Sequence, residues 1–117
     1  MTDRADSLTI SLAQLNPTVG DLPGNLRKLR QAREQAQDAD LVITPELSIC
    51  GYFPEDLIDR PGFTRDCMLA VEQLAHDTAK GGPAIIVGTP WFDDGLVYNA
   101  AVLLADGEIK AKRYKHY

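Results

Sequence analysis

Apolar and polar residues trade places along this chain in two periods. Leu8-Thr-Ile-Ser-Leu-Ala-Gln14 alternates one by one, the rhythm of a half-buried strand. Pro17 and Gly20 break that rhythm. Asp21 can then cap a helix whose apolar positions Leu22, Leu26, Leu29, Ala32 and Ala36 recur at helical spacing, and the helix is predicted to end near Asp38. Leu41-Val-Ile-Thr44 is a β-branched apolar run stopped by Pro45, and it predicts a buried strand. Residues 45–61 carry three prolines and one glycine and predict a long irregular loop, a feature that in compact domains is usually functional or disordered.

A second helix is predicted from Phe63 to Ala79, with Phe63, Cys67, Ala70, Val71 and Leu74 on one face and Lys80-Gly-Gly-Pro83 as its stop. Ala84-Ile-Ile-Val-Gly-Thr89 predicts another buried strand, and Trp91-Phe-Asp-Asp-Gly95 a turn. Tyr98–Leu104 and Glu108–Tyr114 predict two strands joined at Asp106-Gly107, a favoured two-residue hairpin turn. The order β-α-β-α-β followed by a hairpin indicates a layered α/β protein with a mixed sheet. Such a domain usually needs further layers to cover both sheet faces, so the 117 residues read as the front of a longer domain.

The formal net charge of −5 argues against nucleic acid or a membrane surface as partner, since both are polyanionic. The acidic first seven residues lack a signal peptide's apolar core, and no apolar run reaches the length of a membrane span. Two cysteines, Cys50 and Cys67, suggest neither a disulfide scaffold nor a metal motif. The expected setting is a reducing cytoplasm.

Five kinds of side chain invite a chemical reading. Glu46 follows a buried strand, at the sheet edge where α/β folds keep their sites, and partial burial there would raise its pKa toward that of a general base. Taken alone, it reads more readily as a solvated loop acid, since Pro-Glu is a common pair and surface acids are abundant. Lys115, at the end of a hairpin strand, could stabilise an oxyanion or belong to a basic surface patch with Lys110, Lys112 and Arg113. Strand alternation puts Arg113 and Lys115 on one face, Lys112 and Tyr114 on the other. Cys50 and Cys67 read as small buried hydrophobes, His76 and His116 have no convergent partner, and Trp91, Phe92 and Tyr98 read as packing residues.

Several short strings change this balance together. Ala13-Gln-Leu-Asn-Pro17, Val19-Gly-Asp-Leu22, Asn25, Ala39-Asp-Leu-Val42, Thr44-Pro-Glu-Leu47, Gly51-Tyr52, Val87-Gly-Thr89, Tyr98-Asn99 and Tyr114-Lys115 occur in order over nearly the whole chain. This series resembles the opening of the nitrilase (carbon–nitrogen hydrolase) superfamily. Cys50-Gly-Tyr-Phe-Pro-Glu-Asp-Leu57 with Arg60-Pro-Gly-Phe63 resembles one branch, the glutaminase domain that precedes NAD synthetases; Phe53 departs from its pattern.

The resemblance implies a four-layer α-β-β-α sandwich, of which residues 1–117 supply the N-terminal part. It implies a Glu-Lys-Cys catalytic set with Glu46 as general base and Lys115 as oxyanion stabiliser. It also implies Tyr52 as a substrate-lining side chain and a nucleophilic cysteine beyond residue 117. Glutamine would be the substrate, and the ammonia would pass to a synthetase domain that uses ATP and magnesium, in a homo-oligomeric full-length protein. These residues themselves would hold no cofactor and no metal. A stand-alone nitrilase-like amidase or carbamoylase, or an inactive fragment that keeps the fold, are the alternatives.

Overall fold

The structure is a computed structural model that describes residues 7–115; the acidic start and His116 lie outside the described residues. In chain order the regular elements are β1 (Ile10–Leu12), α1 (Leu22–Gln35), β2 (Leu41–Ile43), α2 (Phe63–Asp77), β3 (Ala84–Asp93), β4 (Leu96–Ala105) and β5 (Glu108–Tyr114). They build one five-stranded sheet in the order β1-β2-β3-β4-β5. β1, β2 and β3 run parallel, while β4 and β5 return antiparallel.

Each predicted element is present, with shifted ends. α1 stops at Gln35 rather than near Asp38. Its start is as expected: the Asp21 carboxylate accepts the Gly24 N–H at 3.0 Å, and Pro23 occupies the first turn, where a missing N–H costs nothing. The expected turn at 91–95 is a correction: Trp91 and Phe92 belong to β3, and only Asp94-Gly95 turns. Both hairpins turn on an Asp-Gly pair with positive φ at the two central residues, 52° and 80° at Asp94-Gly95 and 55° and 79° at Asp106-Gly107. That conformation suits the twist of antiparallel strands. The loop expected at 45–61 contains a short 3-10 helix, Glu55–Asp59.

Both helices pack against each other and against one face of the sheet. Leu26 and Leu29 of α1 and Cys67, Val71 and Leu74 of α2 are buried with Val42, Ile85, Val87, Val102 and Leu104 of the strands. At 25 cal/mol per Å² of apolar surface, each such side chain contributes roughly 1.5–3 kcal/mol. Cys50 and Cys67 are fully buried members of this core, and their packing role is as expected. The opposite face carries the other parity, with Ile43, Ile86 and Leu103 half-buried and Ile10 and Leu12 exposed. The described residues therefore supply two layers, a sheet and the helices on one of its faces. Phe92, expected to be a packing residue, is 53% exposed at the hairpin tip, whereas Trp91 beside it is buried.

Asn25 joins the loops that border this sheet edge. Its amide nitrogen donates to Thr18 O (2.8 Å) and Ile49 O (3.1 Å), and its oxygen accepts the Thr18 N–H (2.8 Å). It is a fully buried polar side chain on a helix, where alanine would leave buried backbone groups without partners. Asn25→Ala is expected to destabilise the protein by about 2–3 kcal/mol. The measurement is the urea midpoint at unchanged slope; a shift equivalent to less than about 0.5 kcal/mol would contradict the bracing role.

Candidate active site

The parallel strands β2 and β3 end together, and the chain leaves β2 through Thr44-Pro45-Glu46. Thr44 holds this exit: its N–H and its hydroxyl both donate to Ile86 O, at 3.1 and 2.8 Å, and its hydroxyl lies 2.9 Å from that of Ser48. Leu47 turns the chain with a left-handed φ of 52°, and Gly51 N donates to Leu47 O at 2.8 Å to close the turn. β3 grips the same turn from the side. Gly88 N donates to Ser48 Oγ (3.2 Å), and Gly88 O accepts the Ile49 N–H (3.0 Å). The backbone of Glu46 rests so close to Gly88 that a β-carbon there would lie 3.0 Å from Glu46 Cα.

This turn delivers the Glu46 carboxylate to the sheet face that carries no helix. Lys115, immediately after β5, reaches the same point: its Nζ stands 2.8 Å from Glu46 Oε1 across 69 residues of sequence. Asn99 of β4 lies between them and donates from Nδ2 to the same oxygen at 3.0 Å. The three border a cleft of about 370 Å³ whose apolar floor includes Ile43, Ile86 and Ala101. Strand alternation is as expected. Arg113 and Lys115 serve this cleft, while Lys112 sits over the Trp91 ring and Tyr114 stacks on Tyr98 with ring centroids 4.4 Å apart. The Tyr114 hydroxyl donates to Asp93 at 2.6 Å, which pushes its pKa up to about 12 and ties β5 to the end of β3 beside Lys115.

The electrostatics of Glu46 run against the expectation drawn from burial. Its carboxyl is held below the usual glutamate value, first by the Lys115 hydrogen bond, with partial desolvation opposing and Asn99 adding to the lowering. The cause is openness: the side chain is 37% exposed, so water and Lys115 together favour the ion. The arrangement presents an ionised carboxylate held by an ammonium and a side-chain amide at one oxygen.

The other candidates fall elsewhere. Tyr52 is half exposed on the loop after Gly51, its ring 3.7 Å from that of Phe53, and does not line this cleft. Cys50 is buried and its thiol donates to Gly51 O, so neither it nor Cys67 reaches the carboxylate; the adjoining Cys50 thiol and then burial push the Cys67 thiol up. Asn99 and Gly88 complete this geometry in a way that residue types alone do not announce. Asn99 could have been noticed as a lone amide, in an otherwise apolar strand, on the parity of Ala101 and Leu103.

Known proteins bear on this geometry. The glutamine-dependent NAD(+) synthetase of Rhodobacter capsulatus is 44% identical over 119 residues, covering 100% of this chain and 21% of that protein. The synthetase of Aquifex aeolicus is 39% identical over 111 residues, covering 94% and 19%. This chain thus spans about a fifth of the length of the curated relatives it matches. The glutamine-dependent NAD+ synthetase of Acinetobacter baumannii, solved with adenosine diphosphate, superposes with a TM-score of 0.84 at 35% identity, over 94% of this chain and 21% of that one. An amidase from Nesterenkonia sp. shares the fold, with a TM-score of 0.75 at 23% identity over 92% of this chain and 42% of its own. The five-stranded mixed sheet is thus that of nitrilase-superfamily structures. Residues 9–117 match the carbon-nitrogen hydrolase family, and with Glu46 and Lys115 meeting at one sheet edge, the chain belongs to that family.

Proposed function

We propose that residues 1–117 form the front of a glutaminase domain that supplies ammonia to a glutamine-dependent NAD synthetase. The observation that carries this reading is the 2.8 Å contact between Lys115 Nζ and Glu46 Oε1 on the open sheet face. The relatives' names add glutamine as the nitrogen source and NAD as the product.

In this reading Glu46 takes the proton of a cysteine thiol, and the thiolate attacks the side-chain amide carbon of glutamine. Lys115 keeps one donor on Glu46 and offers another to the tetrahedral oxygen. The proton held by Glu46 goes to the departing nitrogen, which leaves as ammonia. Glu46 then draws a proton from water as its oxygen adds to the thioester carbon; the C–S bond breaks, glutamate is released and the proton returns to the cysteine sulfur. The reading puts the cysteine outside residues 1–117, because both cysteines here are buried in the core. It also requires a second sheet over Ile43, Ile86 and Leu103, completing a four-layer sandwich and drying the cleft.

Among the described residues no three His, Cys, Asp or Glu side chains converge as a metal site. The reading assigns ATP and magnesium to the synthetase part and no cofactor to residues 1–117. No described helix is long and apolar enough to cross a membrane. A reducing, cytoplasmic setting accords with the two free thiols, and a homo-oligomeric full-length protein is expected. Tyr52 would approach glutamine from the outer loop, which this geometry supports less directly than the role of Glu46.

The test is glutamate release. Residues 1–117 alone are expected to release none from glutamine above the uncatalysed rate, and the full-length protein carrying them is expected to turn over. Turnover by the 117 residues alone would overthrow the assignment of the nucleophile. A full-length protein that hydrolyses other amides but not glutamine would favour the amidase reading.

A further inference from the structure

The two hydrogen bonds that Glu46 receives fall on one oxygen. Asn99 Nδ2 donates to Oε1 at 3.0 Å and Lys115 Nζ donates to Oε1 at 2.8 Å, while no described residue donates to Oε2. A carboxylate oxygen has two lone-pair directions, so two donors saturate Oε1 and leave Oε2 as the open acceptor. The two donors differ in stiffness. The lysine ammonium rides on a flexible four-carbon stem and could swing between the oxygens. Asn99 has a short side chain on β4, the strand held between β3 and β5, where it pairs with Pro90. Its backbone also sets the position of the lysine, since Asn99 O accepts the Lys115 N–H at 2.8 Å. One residue thereby fixes both the orientation of the carboxylate and the origin of the cation. Because an amide is neutral, it does this without competing for the proton.

We infer that Asn99 is the positioning residue of the general base: by holding Oε1 against Lys115 it presents Oε2 as the oxygen that takes the nucleophile's proton. The inference rests on the glutaminase reading above. It assigns Asn99 no contact with substrate and no place in the covalent chemistry.

The test is steady-state glutamine hydrolysis by the full-length protein across pH. Asn99→Ala is expected to lower kcat about 10- to 100-fold, the range that loss of alignment produces, with little change in KM. Asn99 N–H donation favours the ionised carboxylate, so its removal should also move the acid limb of the kcat/KM profile to higher pH. Asn99→Asp keeps the shape of the side chain, which guards against a simple folding defect, and places a like charge on Oε1; it should move the limb further in the same direction. A lowered kcat with an unmoved acid limb in Asn99→Ala would mean a merely structural residue and overturns the inference. Wild-type kinetics in Asn99→Asp would do the same. Full hydrolysis by Glu46→Gln is a separate outcome: it sinks the glutaminase reading itself, and the inference about Asn99 with it.

Discussion

Replacing Glu46 by glutamine is expected to lower glutamine hydrolysis by the full-length protein about 10²- to 10⁴-fold, the contribution of a positioned general base. The substitution is nearly isosteric. Its amide oxygen can still accept from Lys115 Nζ, now 2.8 Å from the carboxylate, so the turn at Thr44–Ser48 should keep its shape. What disappears is an oxygen basic enough to take a thiol proton. Synthesis driven by added ammonia bypasses the amide cleavage and should continue at the unmodified rate. Loss of both activities would instead make Glu46 a structural residue. The pH dependence has a definite sign. Lys115 holds the Glu46 carboxyl below the ordinary glutamate value, so the proposed base is ionised at neutral pH and would lose competence only as pH falls through that lowered value. Hydrolysis should therefore show an acid limb, and Glu46→Gln should abolish the limb along with the rate.

The sheet order could be read in advance because each strand and helix announces itself locally. Asp21 before an apolar helical stripe and Asp106-Gly107 between two alternating runs are complete local signals, and both turned out as read. Asp94-Gly95 is the same turn signal, masked by the aromatic pair Trp91-Phe92, which resembles a break but pairs in register with Tyr98 and Val97. The site was less legible for a physical reason. The meeting of Glu46, Asn99 and Lys115 depends on two strand exits and one interior strand position, an arrangement no local window contains. For the same reason Glu46 could be read as a base or as a surface acid from Thr44-Pro-Glu-Leu47, and only an ordered series of matches chose between them. The direction of its pKa was misread because it depends on an ion pair and on exposure, not on the strand that precedes it. Val87-Gly-Thr89 alone gives no reason for its glycine, although a glycine inside a buried strand often marks the close approach of another backbone.

Gly88→Ala should turn that close approach into a measurable loss. A β-carbon at residue 88 would lie 2.3 Å from Leu47 N and 2.9 Å from Glu46 C, and both are backbone atoms that cannot rotate away. Gly88 does not lie at positive φ, so alanine is not excluded by backbone strain, and in an open strand it would gain about 0.5–1 kcal/mol over glycine. Here that gain is outweighed by overpacking, which costs about 1–3 kcal/mol and more where backbone must move. Relief requires the Glu46–Leu47 peptide to withdraw by about 1 Å, a displacement able to cost about 100-fold in rate. It also pulls on the bonds from Gly88 N to Ser48 Oγ and from Ile49 N to Gly88 O, which hold the turn to β3. The expected result is a folded, less stable protein whose glutamine hydrolysis falls about 100-fold while ammonia-driven synthesis persists. Thermal unfolding and the two assays on one preparation make the measurement. If Gly88→Ala matched the parent in stability and in hydrolysis, Glu46 would be free to sit elsewhere, and the rigid delivery of the carboxylate by β3 would have to be abandoned.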